Sequence, residues 1–501
     1  MTAFAVPLRS PLSGGRWWRA LLVVVAAALV AVAAAGGPHR AVLAGVVIGT
    51  AAVFVVATAR PGLALGALLL ILPSQLVVSS WLYHLGLPGS AAHALGNVKD
   101  VLVAAVVARA VLQRDRTPLD ALDRLALGYV AVLSVYLVAP GVAHGLLGAT
   151  PFQQRLLEWR VLGWAALVVV AARRLPITDL VLRRLLRIAV GAGVVIAICG
   201  VVEALLPDTW NSFMVHTLGV PAYKHDVIGL NVDRRNVINH TIVGGHSFVR
   251  AGSVFANSLV AGFALFVAWA LCLGRLSRER VRPSVVVLSA VIGAGIVVTV
   301  TRSAILGAVV AALVVLRVGV GERYGGGIRL GLLLLAAALL VAPFVGSTSF
   351  GERTSAAVQG SDVSAQKHIE SLQNGARVLF RHPLGQGLGT GPGVGDRFGV
   401  ANKVTSEDFY LGVADETGVL GGVLFIAMFV ALMRELRRAS RRAIPQAWVA
   451  GALYAAGWGY AVGALFLHVW LDFTSSLTFF GLAAVTVGVA RRRRESLEVV
   501  A

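Results

Sequence analysis

Cysteine is nearly absent: the 501 residues include only Cys199 and Cys272. Both fall inside apolar runs, so neither a disulfide framework nor a zinc-ligand spacing is available. Charge is scarce too, at 14% of residues, and acids are the rarer sign, with 24 Asp and Glu against 44 Lys and Arg. Neither Gly325–Gly327 nor the run from Gly385 to Gly395 is followed by Lys-Ser/Thr, which excludes a phosphate-binding nucleotide loop. His240 and His246 have no carboxylates at ligand spacing, so no metal centre is expected. No repeat of fixed period occurs.

What the chain has is hydrophobicity. Apolar residues make up 57%, and the mean hydropathy is +0.81. That excludes a soluble domain and predicts a polytopic membrane protein. Only helices or closed barrels satisfy backbone groups in lipid. The apolar runs are continuous and about 17–24 residues long, helix length rather than barrel-strand length. The expected fold class is therefore all-α, a transmembrane bundle of about fourteen spans. Their limits fall near 18–36, 41–59, 62–80, 97–112, 121–139, 156–172, 185–206, 253–273, 284–300, 302–318, 328–345, 409–433, 447–470 and 474–490. The third is expected to break at Pro73. Residues 17–36, with Ala33–Ala35 behind them, mimic a signal peptide, but another span follows at once, so they read as a retained first helix.

The net charge of +20 is not a nucleic-acid signal. Most basic residues cluster in alternate short loops, notably Arg173–Arg187, Arg275–Arg282, Arg434–Arg442 and Arg491–Arg494. The positive-inside rule then predicts a multi-pass plasma-membrane protein with both termini cytoplasmic. Arg442 and its neighbours also read as anchors to anionic membrane lipid. The other basic residues, including all four lysines (Lys99, Lys224, Lys367 and Lys403), fall on the expected outer side. A basic outer face runs against the topological trend and points to an anionic ligand.

The chain reads as a single membrane domain, 1–501, with two large extracytoplasmic loops, 207–252 and 346–408. The first is rich in polar groups, among them Asp226, Asp233, Arg234, Arg235 and Arg250. In the second, Ile369, Leu372, Ala376 and Leu379–Phe380 recur at helical spacing and predict a short amphipathic interfacial helix. The glycine- and proline-rich run from His382 to Gly399 follows as a turn-rich loop.

Arginines flank several predicted span ends: Arg155 and Arg160, Arg250, Arg302 in a very short turn, and Arg377 with Arg381 on the interfacial helix. Guanidinium groups match phosphate in a bidentate way and stay charged when partly buried. Together they would suit a diphosphate; singly, each reads first as a snorkelling or capping arginine, except Arg302, whose very short turn between two apolar helices favours a functional role. His368 with Lys367, and Glu407 with Asp408, are candidates for a general base acting on a sugar hydroxyl. Asp408 or Ser406 also reads as the cap of the next helix. Tyr410 would line a sugar site or pack. Glu203, His468 and Asp472 are polar groups of the kind proton-coupled transport uses, but the broken mid-membrane helices of transporters are not evident.

Four blocks carry a resemblance. They are Arg250-Ala251-Gly252-Ser253-Val254-Phe255-Ala256-Asn257; Thr301-Arg302-Ser303-Ala304; His382-Pro383-Leu384-Gly385-Gln386-Gly387-Leu388-Gly389; and Glu407-Asp408-Phe409-Tyr410-Leu411 running to Glu416-Thr417-Gly418-Val419-Leu420-Gly421. In order and spacing they resemble the O-antigen ligase and polymerase family of membrane glycosyltransferases, over roughly residues 250–430. Ligase members usually carry His-Asn where Glu407-Asp408 stand, and Arg near His368. The combination present here is more similar to polymerising members.

The resemblance implies a bundle of the type C glycosyltransferase kind. It implies a polyprenyl-diphosphate-linked glycan donor, a glycan acceptor on the extracytoplasmic face, and transfer without cofactor or metal; a base on the face opposite the leaving diphosphate would predict inversion. Polysaccharide-assembly partners would fit the same role. Arg250, Arg302 and Arg377, with Arg155, Arg160 and Lys367, would bind the donor, Asp408 and Tyr410 would line the substrate, and Glu407 or His368 would be the base. A transporter or flippase of lipid-linked sugars is the alternative, and an inactive assembly scaffold a third reading.

Overall fold

The computed structural model describes residues 37–113, 117–138, 150–243, 246–278, 282–319, 363–391, 406–442 and 444–500. In chain order the helices are α1 (Gly37–Ala59), α2 (Pro61–His84), α3 (Gly89–Leu95), α4 (Val98–Leu112), α5 (Ala121–Val138), α6 (Phe152–Arg174), α7 (Asp179–Leu205), α8 (Pro207–Ser212) and α9 (Val220–Asp226). The chain continues with the strands β1 (Asn239–Val243) and β2 (His246–Arg250), then α10 (Ser258–Arg278), α11 (Pro283–Val298), α12 (Arg302–Gly319), α13 (Val363–Arg381), α14 (Phe409–Ser440), α15 (Ala447–Gly463) and α16 (Phe473–Val500).

Six of these, α2, α5, α7, α10, α14 and α16, are long and apolar enough to cross a membrane, and the chain is a membrane protein on that ground. Every expected span within the described residues overlaps a helix, but fourteen membrane crossings do not follow. Helices α4, α11 and α15 have 15, 16 and 17 residues, short of the roughly 20 that a bilayer core requires. Polar side chains interrupt α6. The expected spans 18–36 and 328–345 lie outside the described residues.

Pro73 does not end the third expected span: α2 runs through it without interruption. A proline removes one helix bond, and helices in lipid tolerate this when nearby hydroxyls support the ladder. The carbonyl left without its helical donor is that of Leu69, and the Ser74 hydroxyl reinforces the next one, donating to the Leu70 carbonyl at 2.8 Å. Segment 207–252, expected as a loop, is largely ordered. It contains α8, a π-turn at Phe213–Thr217, α9 and an antiparallel β1–β2 hairpin that pairs Asn239 with Arg250. Trp210, Met214, Leu218 and Val220 give it a small core of its own.

The main core lies where α14, α15 and α16 meet. Phe409, Phe425, Tyr460, Trp470, Phe479 and Phe480 interlock there, Phe425 lying 5.0 Å from Phe409 and Trp470 4.7 Å from Tyr460 between ring centroids. Helices α12 and α15 run antiparallel, with Val318 against Gly451 and Gly307 against the Gly459 carbonyl. Small residues of this kind let two backbones approach closely.

At one end of the bundle, Arg173 is held by Asp120 and Asp123, and Arg174 by Asp123 at 2.6 Å. Arg493 reaches Asp179 at 3.1 Å. These ion pairs tie the ends of α6 and α16 to the starts of α5 and α7. The opposite end carries the starts of α6, α10, α12 and α14 and the ends of α7, α11 and α15. All but one of the sequence-predicted site residues lie there; Arg160 stands farther along α6.

Candidate functional site

Three assemblies occupy that end. The first brings Arg250 and Arg302 together. Arg250 closes β2 and Arg302 opens α12, fifty-two positions apart in sequence. Their segments are joined directly: the Ala251 N–H donates to the Val298 carbonyl at 3.0 Å, and the Thr301 hydroxyl to the Ser258 carbonyl at 3.3 Å. Among the described residues, three non-glycine residues have positive φ, namely Ser253 (51°), Ala256 (45°) and Val300 (48°). All three belong to these two segments. Such strain, about 1–3 kcal/mol for each residue, persists only where surrounding structure imposes it, and it gathers at functional sites.

Burial pulls the Arg250 guanidinium below its ordinary value, and the charge of Arg302 adds to the effect. Two like charges therefore share one neighbourhood. Arg250 Nε is buried without a hydrogen-bond partner, and no ion pair to Arg250 occurs among the described residues. Two guanidinium groups in one neighbourhood are suited to a multiply charged anion.

The second assembly is a dyad. His368 Nδ1 lies 2.6 Å from Glu407 Oε2. The His368 ring stacks on Phe466 with centroids 5.6 Å apart and planes 13° from parallel. The Glu407 N–H donates to the Ser371 hydroxyl at 2.7 Å. His368 and Ser371, three apart on α13, share one helix face, and that face receives Glu407. Accessibility separates the two candidate bases: the Glu407 side chain is 54% exposed and that of His368 only 19%, with His368 Nε2 buried. Glu407 thus offers an open carboxylate oxygen, and His368 orients it from behind.

Asp408 caps α14, its Oδ1 accepting from the Leu411 N–H at 2.7 Å. Burial pushes its carboxyl above the usual range. Tyr410 packs, its hydroxyl donating to the Ala461 carbonyl at 3.1 Å. The antiparallel register of α12 and α15 links the dyad to the arginines. Gly307 faces Gly459, so Arg302 stands about level with Ala464, roughly one and a half helical turns farther along. The Ala464 carbonyl accepts the Phe409 N–H at 3.0 Å, and Phe466 follows two residues later.

The third assembly docks the glycine-rich run onto α14. The Gln386 N–H donates to the Asp415 carbonyl at 2.6 Å, the Gly387 N–H to the Glu416 carbonyl at 2.9 Å, and the Val419 N–H to the Pro383 carbonyl at 2.9 Å. Glu416, buried, accepts the Gly391 N–H. The contact exists because α14 kinks at Gly418 (φ 74°, ψ 174°), a conformation open essentially to glycine alone. A side chain at Gly385 (φ 82°) would meet the Glu416 carbonyl oxygen at 2.7 Å. The His-Pro-Leu-Gly and Glu-Thr-Gly blocks are therefore two halves of one joint, and α13 runs directly into it.

The other predicted residues are placed as follows. Arg160 forms a bidentate pair with Asp100 at 3.1 and 2.6 Å and also reaches Asn97. Arg155 donates to the Leu137 carbonyl at 2.7 Å and lies over the Phe152 ring. Both arginines tie α6 to its neighbours. Arg377 is exposed and bonded to Asn374 at 2.7 Å. The Lys367 side chain lies outside the described residues, as do 346–362 and 392–405 of the second expected loop. Sequence reading assigned no role to Ser371 or Phe466. The i, i+3 spacing of His368 and Ser371 was an available signal for the first; Phe466 had none.

The chain was compared with known proteins. No family model matches it. It is 30% identical over 184 residues to an O-antigen polymerase of Salmonella muenchen, covering 36% of this chain and 45% of that protein. The chain thus matches less than half the length of this relative. The resemblance read from the four sequence blocks points to the same family as this likeness.

Proposed function

We propose, taking the likeness to an O-antigen polymerase as premise, that the protein is a polysaccharide polymerase or ligase of the cell envelope. It transfers a glycan from a polyprenyl-diphosphate donor to an acceptor sugar hydroxyl on the extracytoplasmic side. The observation that carries this reading is the pairing of Arg250 with Arg302 on two strained, mutually bonded segments. Charged groups at a membrane face are costly unless they serve a ligand, and two adjacent guanidinium groups suit a diphosphate.

In this reading Arg250 and Arg302 bind the donor's diphosphate, and Arg377 meets it from α13. The Glu407 carboxylate takes the proton of the acceptor hydroxyl. The acceptor oxygen attacks the anomeric carbon. The bond from that carbon to the diphosphate oxygen breaks, and the electron pair leaves with the polyprenyl diphosphate, whose growing charge the arginines stabilise. Attack opposite the leaving group inverts the anomeric carbon. His368 orients Glu407, and Asp408 and Tyr410 shape the sugar-facing end of α14. Arg155 and Arg160 hold α6 to its neighbours and take no part in donor binding.

Kinetics of purified variants on a lipid-linked oligosaccharide test these roles. Glu407→Gln is expected to lower kcat by about 10²–10⁴, the usual weight of a general base, with donor KM little changed. Arg302→Ala is expected to raise donor KM and lower kcat together. Normal turnover in both variants would remove the proposed site.

A further inference from the structure

We propose that Lys224 and Glu203 are positioning residues for the anion site: they grip the turn from Arg250 to Asn257 at two points and so hold Arg250 beside Arg302. This inference rests on the reading of the two arginines as a diphosphate site, and it extends that site to two residues that neither contact the anion nor lie near it in sequence.

The turn is improbable by itself. Ser253 and Ala256 both have positive φ, where a Cβ collides with its own backbone. Gly252 is enclosed so closely that a side chain there would meet Ala256 C at 2.8 Å. Something must therefore hold the conformation from outside. Two charged side chains do so. From α7, the fully buried Glu203 accepts the Ser253 N–H at 2.6 Å through Oε2. From α9, Lys224 Nζ donates to the Ala256 carbonyl at 3.2 Å and the Phe255 carbonyl at 3.5 Å. The anion meets an N–H and the cation meets carbonyls, so each charge lies at the favourable end of a peptide dipole. Charge-assisted bonds of this kind are roughly twice as strong as neutral ones. The Ser253 hydroxyl adds a bond to the Ile196 carbonyl at 2.7 Å.

The consequence is selectivity. A diphosphate presents two charged groups at fixed separation, and only a fixed pair of guanidinium groups can prefer it strongly over a monophosphate. Releasing the turn should cost the preference before it costs the fold.

The test measures binding of polyprenyl diphosphate and polyprenyl monophosphate to the full-length protein in lipid nanodiscs, with thermal unfolding alongside. Lys224→Met and Glu203→Gln attack the turn at its two anchor points, and Lys224→Arg is the rescue. Losing one charge-assisted bond should lower diphosphate affinity by about tenfold or more. The monophosphate should be affected less, so the ratio between them falls in both variants and returns in Lys224→Arg. A merely structural role would lower the unfolding temperature and leave the ratio unchanged, overturning the proposal. A ratio that falls in Lys224→Met alone would make Lys224 a direct ligand and also overturn it. Arg302→Ala separates the two levels. If it abolishes diphosphate binding while Lys224→Met and Glu203→Gln behave as wild type, the positioning roles fail and the anion site stands. If Arg302→Ala binds normally, the anion site itself fails.

Discussion

Replacing Gly418 by alanine should unlock the joint between the glycine-rich loop and α14. Gly418 has φ 74° and ψ 174°, a region that costs a residue with a Cβ about 1–3 kcal/mol. The new Cβ would also stand 2.8 Å from the Leu384 carbonyl group and from the Pro383 oxygen. Relief requires the loop to move away. That movement strains three backbone bonds: Gln386 to Asp415, Gly387 to Glu416, and Val419 to Pro383. At about 1 kcal/mol net for each, the docking weakens by on the order of 3 kcal/mol, roughly a hundredfold in the opening equilibrium. Hydrogen exchange of a peptide covering 383–391, read by mass spectrometry in nanodiscs, should accelerate accordingly. Turnover should fall as well, because α13 carries His368 and ends at the joint. Val419→Ala, at a neighbouring exposed position, is the control. Unchanged protection of 383–391 in Gly418→Ala would refute the account of the joint.

Two further outcomes follow from the geometry. Burial pushes Lys224 down to about 8, whereas an unfolded lysine titrates near its ordinary value of about 10.4. Between these values the unfolded state binds more protons, so the contribution of Lys224 to stability rises with pH across that window. Its charge, and with it the grip on Ala256, is lost over the same range. Diphosphate affinity should therefore fall as pH rises through about 8 while thermal stability gains, and Lys224→Met should show neither trend. Arg160→Ala should act on stability alone. It strands the partly buried Asp100 carboxylate and should cost on the order of 2–3 kcal/mol, seen as a lower unfolding temperature with donor KM unchanged. Removing Asp100 as well should recover part of the loss; a rise in donor KM in Arg160→Ala would place that arginine in the binding site instead.

Helix positions were largely legible in the sequence because apolar runs at spanning length have few other solutions in lipid. The cap at Asp408 was legible for a local reason: a short acceptor before an apolar run satisfies free N–H groups. Membrane crossings were less so, since hydropathy cannot separate a spanning helix from a buried one of 15 to 17 residues. The site was legible in its residue types and not in its pairings. Sequence reading left Glu407 and His368 as rival bases, whereas they are partners across 39 positions. Which of them is accessible depends on Phe466 and α13 packing, neither of which has a sequence signature. Arg160 and Arg250 look alike in sequence; only the structure shows that one is held by Asp100 while the other has unused donors. The grip of Lys224 on a carbonyl 32 positions away is likewise a property of the folded chain.

The most direct test of the central claim is a product assay. Purified protein in liposomes is incubated with a labelled polyprenyl-diphosphate oligosaccharide from its own host, and the glycans are resolved by length. The account predicts a ladder of longer glycans with release of polyprenyl diphosphate, and no ladder with Arg302→Ala. Donor that changes leaflet with no new glycosidic bond formed, in the wild type and with candidate acceptors added, would contradict it and make the protein a transporter.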